Sequence, residues 1–260
     1  MVAGTGRWLA SATMTEPPSP GYYEFLDFNA PLSDQRADAI SRSLAERQPT
    51  RIVDVGCGWG ELLIRTLAMA PAASGLGVDT DTRGIERGRA NAAKRGVGDR
   101  VDFAVDSATE VTDPADVVIC VGSDHAYGSQ PDALTALHAL VHPGGVALVG
   151  TGFWERQPTP DEAAAIGMTP DELLDLAGLV DLAIATGFRP LAIQTAGRDE
   201  WERFESGFLA DWETWLMEYG DQPSAADIRS QSDQHRNEWL RGWRDVFGFA
   251  YLTLGRPAIS

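Results

Sequence analysis

The 260-residue chain predicts an α/β fold with a doubly wound, mostly parallel sheet, and three observations carry that reading. Between about residues 51 and 196, short apolar runs alternate with helical patterns, as repeated βαβ units require. The first run leads directly into a glycine-rich turn, Gly56-Cys57-Gly58-Trp59-Gly60. A later run, Asp116–Gly122, is strongly β-branched and apolar, as a buried strand should be.

The elements follow in order. An amphipathic helix over Pro31–Arg47 precedes the sheet, itself preceded by the aromatic segment Tyr22-Tyr23-Glu24-Phe25. Strands are expected at Arg51–Val55, Gly75–Asp79, Val101–Val105, Asp116–Gly122, Val146–Gly150 and Pro190–Thr195. Helices fall between them at Glu61–Met69, Arg83–Lys94, Pro131–Val141 and Pro170–Gly187, with Gly187 suited to the position just past a helix end. Beyond residue 197 the rhythm changes. Trp201, Phe204, Phe208, Trp212, Trp215 and Tyr219 recur at helical spacing within Arg198–Tyr219. A second helical stretch covers about Ser224–Arg244, and Phe247–Leu254 alternates like a closing strand. These divisions give a leader (1–20, with Met14 a possible start), a cap segment and helix (21–50), a core (51–197), a helical insertion (198–245) and a closing strand with its tail (246–260).

Composition narrows the function. Thirty-eight acidic against 21 basic residues give a net charge of −17, a surface that repels phosphate backbones and anionic lipid. Nucleic-acid and membrane partners are therefore not expected. The two cysteines, Cys57 and Cys120, show no metal-ligand spacing, and no metal site is expected. The opening residues lack the apolar core of a signal peptide, which leaves a reducing, cytoplasmic location as the expectation.

The turn after the first strand is where a doubly wound sheet binds its ligand. A dinucleotide fingerprint, GxGxxG, would place its third glycine at position 61, which is Glu61. The observed spacing is GxGxG, with Asp54 two residues upstream. Carboxylates at Asp54 and Glu61 oppose a pyrophosphate and suit an ammonium or a sulfonium.

This stretch resembles the nucleotide-binding loop of class I S-adenosylmethionine-dependent methyltransferases, in which an acidic residue precedes GxGxG. Further resemblances lie in Asp79 at the end of the second strand, in Asp106-Ser107-Ala108 after the third, and in the Pro143-Gly144-Gly145 turn before the fifth. The resemblance implies a Rossmann-like seven-stranded sheet of order 3-2-1-4-5-7-6 with strand 7 antiparallel, an N-terminal helical cap and a helical insertion before the last strand. It implies S-adenosyl-L-methionine as cofactor, with Asp54, Gly56, Cys57, Gly58 and Gly60 around its methionine end. Asp79 and Thr80 would hold the ribose, Asp106, Ser107 and Ala108 the adenine, and Val121 and Gly122 would face the methionine end from the fourth strand.

On the substrate side, His125 follows the fourth strand and is either a general base or a pocket-shaping loop residue. Trp154, to wall the substrate pocket, and Glu155, to hold a substrate donor, are further candidates equally explained by loop packing. Asp124 is a weaker one, explained by turning the loop, and Tyr127 lies in the same loop. Tyr22 and Tyr23 read first as a lid over the cofactor, with anchoring of their segment as the alternative. The tail tryptophans read first as helix packing, with a minority lining a pocket, and His235 reads as solvated. The expected activity is methyl transfer to an O, N, S or C nucleophile of a small molecule. A non-catalytic binder of the same cofactor and a nicotinamide-dependent oxidoreductase are the rivals. Oligomeric state leaves no sequence signal.

Overall fold

A computed structural model describes residues 18–21 and 23–258; Tyr22 and most of the expected leader lie outside the described residues. The apolar runs become β1 (Arg51–Val55), β2 (Ser74–Asp79), β3 (Val101–Val105), β4 (Ala115–Val121), β5 (Val141–Trp154), β6 (Arg189–Thr195) and β7 (Phe247–Gly255). They form one sheet in the order β3-β2-β1-β4-β5-β7-β6, with β7 antiparallel to both β5 and β6. The helices are α1 (Asp34–Ala45), α2 (Glu61–Met69), α3 (Thr82–Lys94), α4 (Gln130–Leu140), α5 (Pro160–Ala164), α6 (Leu176–Ala185), α7 (Arg198–Tyr219) and α8 (Ala225–Glu238).

Alternation along the strands builds two apolar layers. Ile52, Ile119 and Leu148 pack with Leu44, Leu63 and Ile85 of α1–α3 on one face. Val53, Val118 and Val149 pack with Leu137, Leu179 and Ala183 of α4 and α6 on the other. Short polar residues start the helices by taking backbone N–H groups that have no partner within the helix. Ser33 accepts from Arg36 N, Asp81 from Arg83 and Gly84 N, and Asp175 from Gly178 N.

Several boundaries differ from the sequence reading. The fifth strand starts at Val141 and takes in Pro143-Gly144-Gly145, read from sequence as a turn before it, because Val141 already pairs with Ala115 ahead of a register shift. The helix expected over Pro170–Gly187 begins only at Leu176, because Asp175 caps it there, and the short α5 arises earlier on a Thr159–Glu162 capping box. The fifth strand continues to Trp154, since β7 offers a full antiparallel register as far as Trp154 opposite Phe247. The second tail helix ends at Glu238 and passes into a wider π-type turn, Trp239–Trp243.

The N-terminal segment and α7 hold each other. Glu200 of α7 accepts from the Ser33 backbone N–H (3.0 Å), the Ser33 hydroxyl (2.6 Å), and Arg36 Nε and Nη2 (2.9 and 2.8 Å). Burial alone would raise its carboxyl, but the Arg36 and Ser33 bonds outweigh it and hold the pKa at about 2. Farther along α7, Asp211 accepts from Glu24 N, and Trp215 Nε1 donates to Pro18 O. Among the described residues no helix is long and apolar enough to cross a membrane.

Candidate active site

A cavity of about 250 Å³ opens where the carboxyl ends of β1, β2 and β4 meet the N-terminal segment. Its floor depends on the glycine turn. Gly56 has φ +66°, and a Cβ there would lie 2.2 Å from the Ser123 Cβ. Ser123 is buried and donates to Val55 O (2.8 Å), tying the end of β4 to the end of β1. Only a residue without a side chain lets those strand ends close while keeping the backbone open to a ligand. Gly60 serves the turn differently: it has φ +63°, and its missing Cβ makes room for the Phe103 ring, 2.6 Å away. It is not on the cavity wall.

Three carboxylates shape the electrostatics. Asp54 shares the β1 face with Ile52, but stands where the apolar layer gives way to the cavity. It is 3% exposed and makes no hydrogen bond with any described residue. Burial first, and then the neighbouring Asp79, pushes its carboxyl well above the usual range. Asp79 is anchored by backbone alone: Gly58 N–H donates to Oδ2 (2.7 Å) and Asp81 N–H to Oδ1 (2.9 Å). A carboxylate has about four acceptor positions, so both oxygens keep capacity for ligand hydroxyls. Asp106 accepts from Ser107 N–H (2.8 Å). No Lys or Arg lines this cavity among the described residues.

Glu61 departs from the sequence argument. It lines the cavity and is buried, but Arg65 (2.7 Å) and Arg95 (2.9 Å) pair with its carboxylate. Its charge is neutralised by the helices around it, so the carboxyl groups left to meet a ligand are those of the three aspartates. Burial pushes the Cys57 thiol up and the Cys120 thiol up to about 12, so neither is a thiolate nucleophile.

The comparisons with known proteins converge on one family. A family profile described as a methyltransferase domain matches residues 52–145, the segment that carries β1 through the turn into β5. YjhP of Escherichia coli K12, an uncharacterized protein, is 28% identical over 228 residues, covering 86% of this chain and 92% of its own. Its X-ray structure superposes with a TM-score of 0.80, at 26% identity over 88% of this chain and 94% of that one. A methyltransferase from Geobacter sulfurreducens, solved in complex with S-adenosyl-L-homocysteine, gives a TM-score of 0.81 at 24% identity, covering 88% and 93% of the two chains. A probable tocopherol O-methyltransferase of Oryza sativa is 33% identical over 140 residues, 53% of this chain and 37% of its own length. Residues 52–145 thus match a methyltransferase domain, and the chain as a whole shares the fold of the S-adenosyl-L-homocysteine-bound methyltransferase.

The cavity brings together most of the residues singled out from sequence. Asp54, Gly56, Cys57, Gly58, Asp79, Thr80, Asp106, Ser107, Ala108, Val121, Gly122 and His125 all line it. Others lie apart. Asp124 is turned towards the sheet, where it accepts from Thr151 Oγ1 (2.8 Å), and Tyr127 donates to Ala108 O (3.2 Å). Trp154 is buried with Ala163 and Val246 in a separate cluster, its indole N–H bonded to Pro170 O (3.0 Å). Glu155 borders a second cavity. Tyr23 packs behind the cavity between Trp59 and Phe208 (ring centroids 5.8 and 5.6 Å), while Tyr22 falls outside the described residues. His235 is half-buried rather than solvated: its Nε2 lies 2.7 Å from the buried Glu205 and its ring against Phe208.

The wall that sequence reasoning missed is Phe28, Asn29, Ala30 and Leu32. Its signal was present. Leu26, Phe28, Ala30 and Leu32 are all buried, alternating with exposed Asp27 and Asn29, a period-2 pattern directly before a capped helix.

Proposed function

We propose that the chain transfers a methyl group from S-adenosyl-L-methionine to a nucleophile on a small molecule. The observation that carries this reading is the cavity at the sheet's carboxyl edge, which offers one unpartnered buried carboxylate, two backbone-anchored ones and no lining cation. A diphosphate in that place would meet repulsion without a compensating Lys or Arg. A nucleoside carrying an ammonium and a sulfonium meets complementary charge. The fit extends to the turn, where Gly56 and Gly58 leave the backbone bare beside Asp54.

When bound, the cofactor supplies an electrophilic methyl on sulfur, open to in-line displacement by an acceptor. Asp54 would receive the cationic methionine end, whose positive charge favours the ionised form of its carboxyl. Asp79 accepts from the ribose hydroxyls, and Asp106 with Ser107 and Ala108 borders the adenine. The apolar Phe28, Ala30 and Leu32 close the cavity against water, which strengthens each of these polar contacts. His125, on the short turn after β4, lines the cavity. Among the described residues no carboxylate orients its ring, so its part is to take a proton from an acceptor that approaches it or to position that acceptor. A cavity walled by the protein's own N-terminal segment and a net charge of −17 both favour small acceptors over nucleic acid.

A screen of small nucleophiles with methyl-labelled cofactor tests the proposal. We expect transfer to at least one acceptor, and expect His125→Ala to lower turnover about tenfold or more with cofactor affinity unchanged. Cofactor binding without transfer to any acceptor would favour the non-catalytic binder.

A further inference from the structure

A second cavity, of about 110 Å³, lies at the same edge of the sheet over the ends of β5, β6 and β7. Its walls are aromatic. Trp201, Trp239, Trp243 and Phe247 line it, and three of these rings stand steeply against one another: Trp201 to Trp243 at 5.5 Å and 63°, Trp201 to Phe247 at 5.7 Å and 60°, Trp243 to Phe247 at 6.0 Å and 86°. Simple core packing does not account for all of it. Trp59, Trp154 and Trp215 each bond their indole N–H to a backbone carbonyl, whereas the indole N–H groups of Trp201, Trp239 and Trp243 bond to no described residue and are not sealed from solvent as orphans.

The charges at this cavity do not cancel. Arg198 pairs with Asp245 (2.6 Å) and Arg244 with Glu202. Glu155 is the remaining charged residue of the lining, and its carboxylate has no partner among the described residues. It rests over Gly248, where a Cβ would come within 2.9 Å of Oε1, and its own N–H is fixed to Val246 O (2.9 Å). Aromatic faces with one uncompensated carboxylate attract a cation whose hydration shell is weak, which is the property of an alkylated ammonium. The chain's net charge of −17 adds a long-range field of the same sign.

We propose that this cavity binds a small organic cation of the amine or alkylated-ammonium class, with Glu155 as its counter-ion and Trp201, Trp243 and Phe247 as its walls. The site is distinct from the donor cavity: Phe249 stands between them, packed on Trp201 (6.4 Å) on one side and within 4.0 Å of the position a Gly122 Cβ would take on the other. Binding here does not depend on the methyltransferase reading. A further step, that molecules bearing such a cation are the first acceptors to screen, does rest on it.

The test is a titration of the full chain with choline, followed by calorimetry and tryptophan fluorescence at constant ionic strength, with its neutral isostere 3,3-dimethylbutanol as control. We expect saturable choline binding that S-adenosyl-L-homocysteine does not displace, and much weaker binding of the alcohol. Glu155→Gln should weaken choline about tenfold or more and leave the homocysteine nucleoside's affinity as it was, and Trp201→Leu should weaken choline as well. Absence of saturable binding, equal affinity for the neutral alcohol, or indifference to Glu155→Gln would overturn the proposal. Those results would leave the donor reading standing, and loss of nucleoside binding by the unaltered chain would sink that reading alone.

Discussion

Asp54 is the residue on which structure and function pull in opposite directions. Its carboxyl is raised by burial and by Asp79, so in the unliganded protein it favours folding below the unfolded-state value near 4. That contribution is lost as pH rises through the folded-state pKa. Replacing it with Asn removes the ionisation at almost constant shape. We expect Asp54→Asn to raise the melting temperature of the unliganded protein at pH 7–8, with less effect near pH 4. The same change should weaken S-adenosyl-L-methionine about tenfold or more, read by calorimetry. A variant that is less stable at pH 8, or equally tight, would show that Asp54 is an ordinary buried acid. Gly56 is the second residue with a sharp expectation. Gly56→Ala places a Cβ 2.2 Å from Ser123 at φ +66°, and denaturant unfolding should show a loss of about 2 kcal/mol or more.

At the level of elements, the joint between the N-terminal segment and α7 positions the missed wall of the cavity. Glu200 gathers Ser33, Arg36 and the Gly197 N–H on one carboxylate, directly after the stretch that ends at Leu32. Glu200→Gln should cost about 2 kcal/mol and loosen that wall. The pH dependence has a definite sign. With its folded pKa held at about 2, Glu200 contributes stability that is present above pH 4–5 and lost as pH falls towards 2, and the Gln variant should show a flatter acid limb in urea titrations. The core elements were legible in the sequence because each carries a local signal: β-branched runs for β1 and β4, Ser, Asp and Pro at helix starts, and glycines where the backbone turns. Long-range partners leave no such signal. The extension of β5 to Trp154 depends on β7, almost a hundred residues later. Likewise, His235 reads as polar in its own helix and is covered only because Phe208 and Trp212 of α7 fold against it. Tyr127 and Trp154, marked by type and position, turn out to be bonded to carbonyls of their own neighbourhood.

Across the whole molecule, one sheet edge carries two cavities with different chemistry. The first is lined by backbone glycines and aspartates at β1, β2 and β4, the second by tryptophans of the helical insertion over β5, β6 and β7. The acidic surface serves both in the same way, since a net charge of −17 draws cations and repels phosphates before any contact is made. The electrostatic argument from sequence pointed to the domain that the family profile matches while misassigning one of its carboxylates: Glu61 is held between Arg65 and Arg95, the first legible as an i,i+4 pair on α2, the second a partner from the end of α3 that leaves no local signal. The most direct measurement is calorimetric titration of the unliganded protein with S-adenosyl-L-homocysteine, S-adenosyl-L-methionine and NAD under identical buffer and salt. The account predicts one saturable site for each of the first two, weakened by Asp79→Ala, and no heat of binding for NAD. Saturable NAD binding with neither thioether nucleoside bound would contradict it.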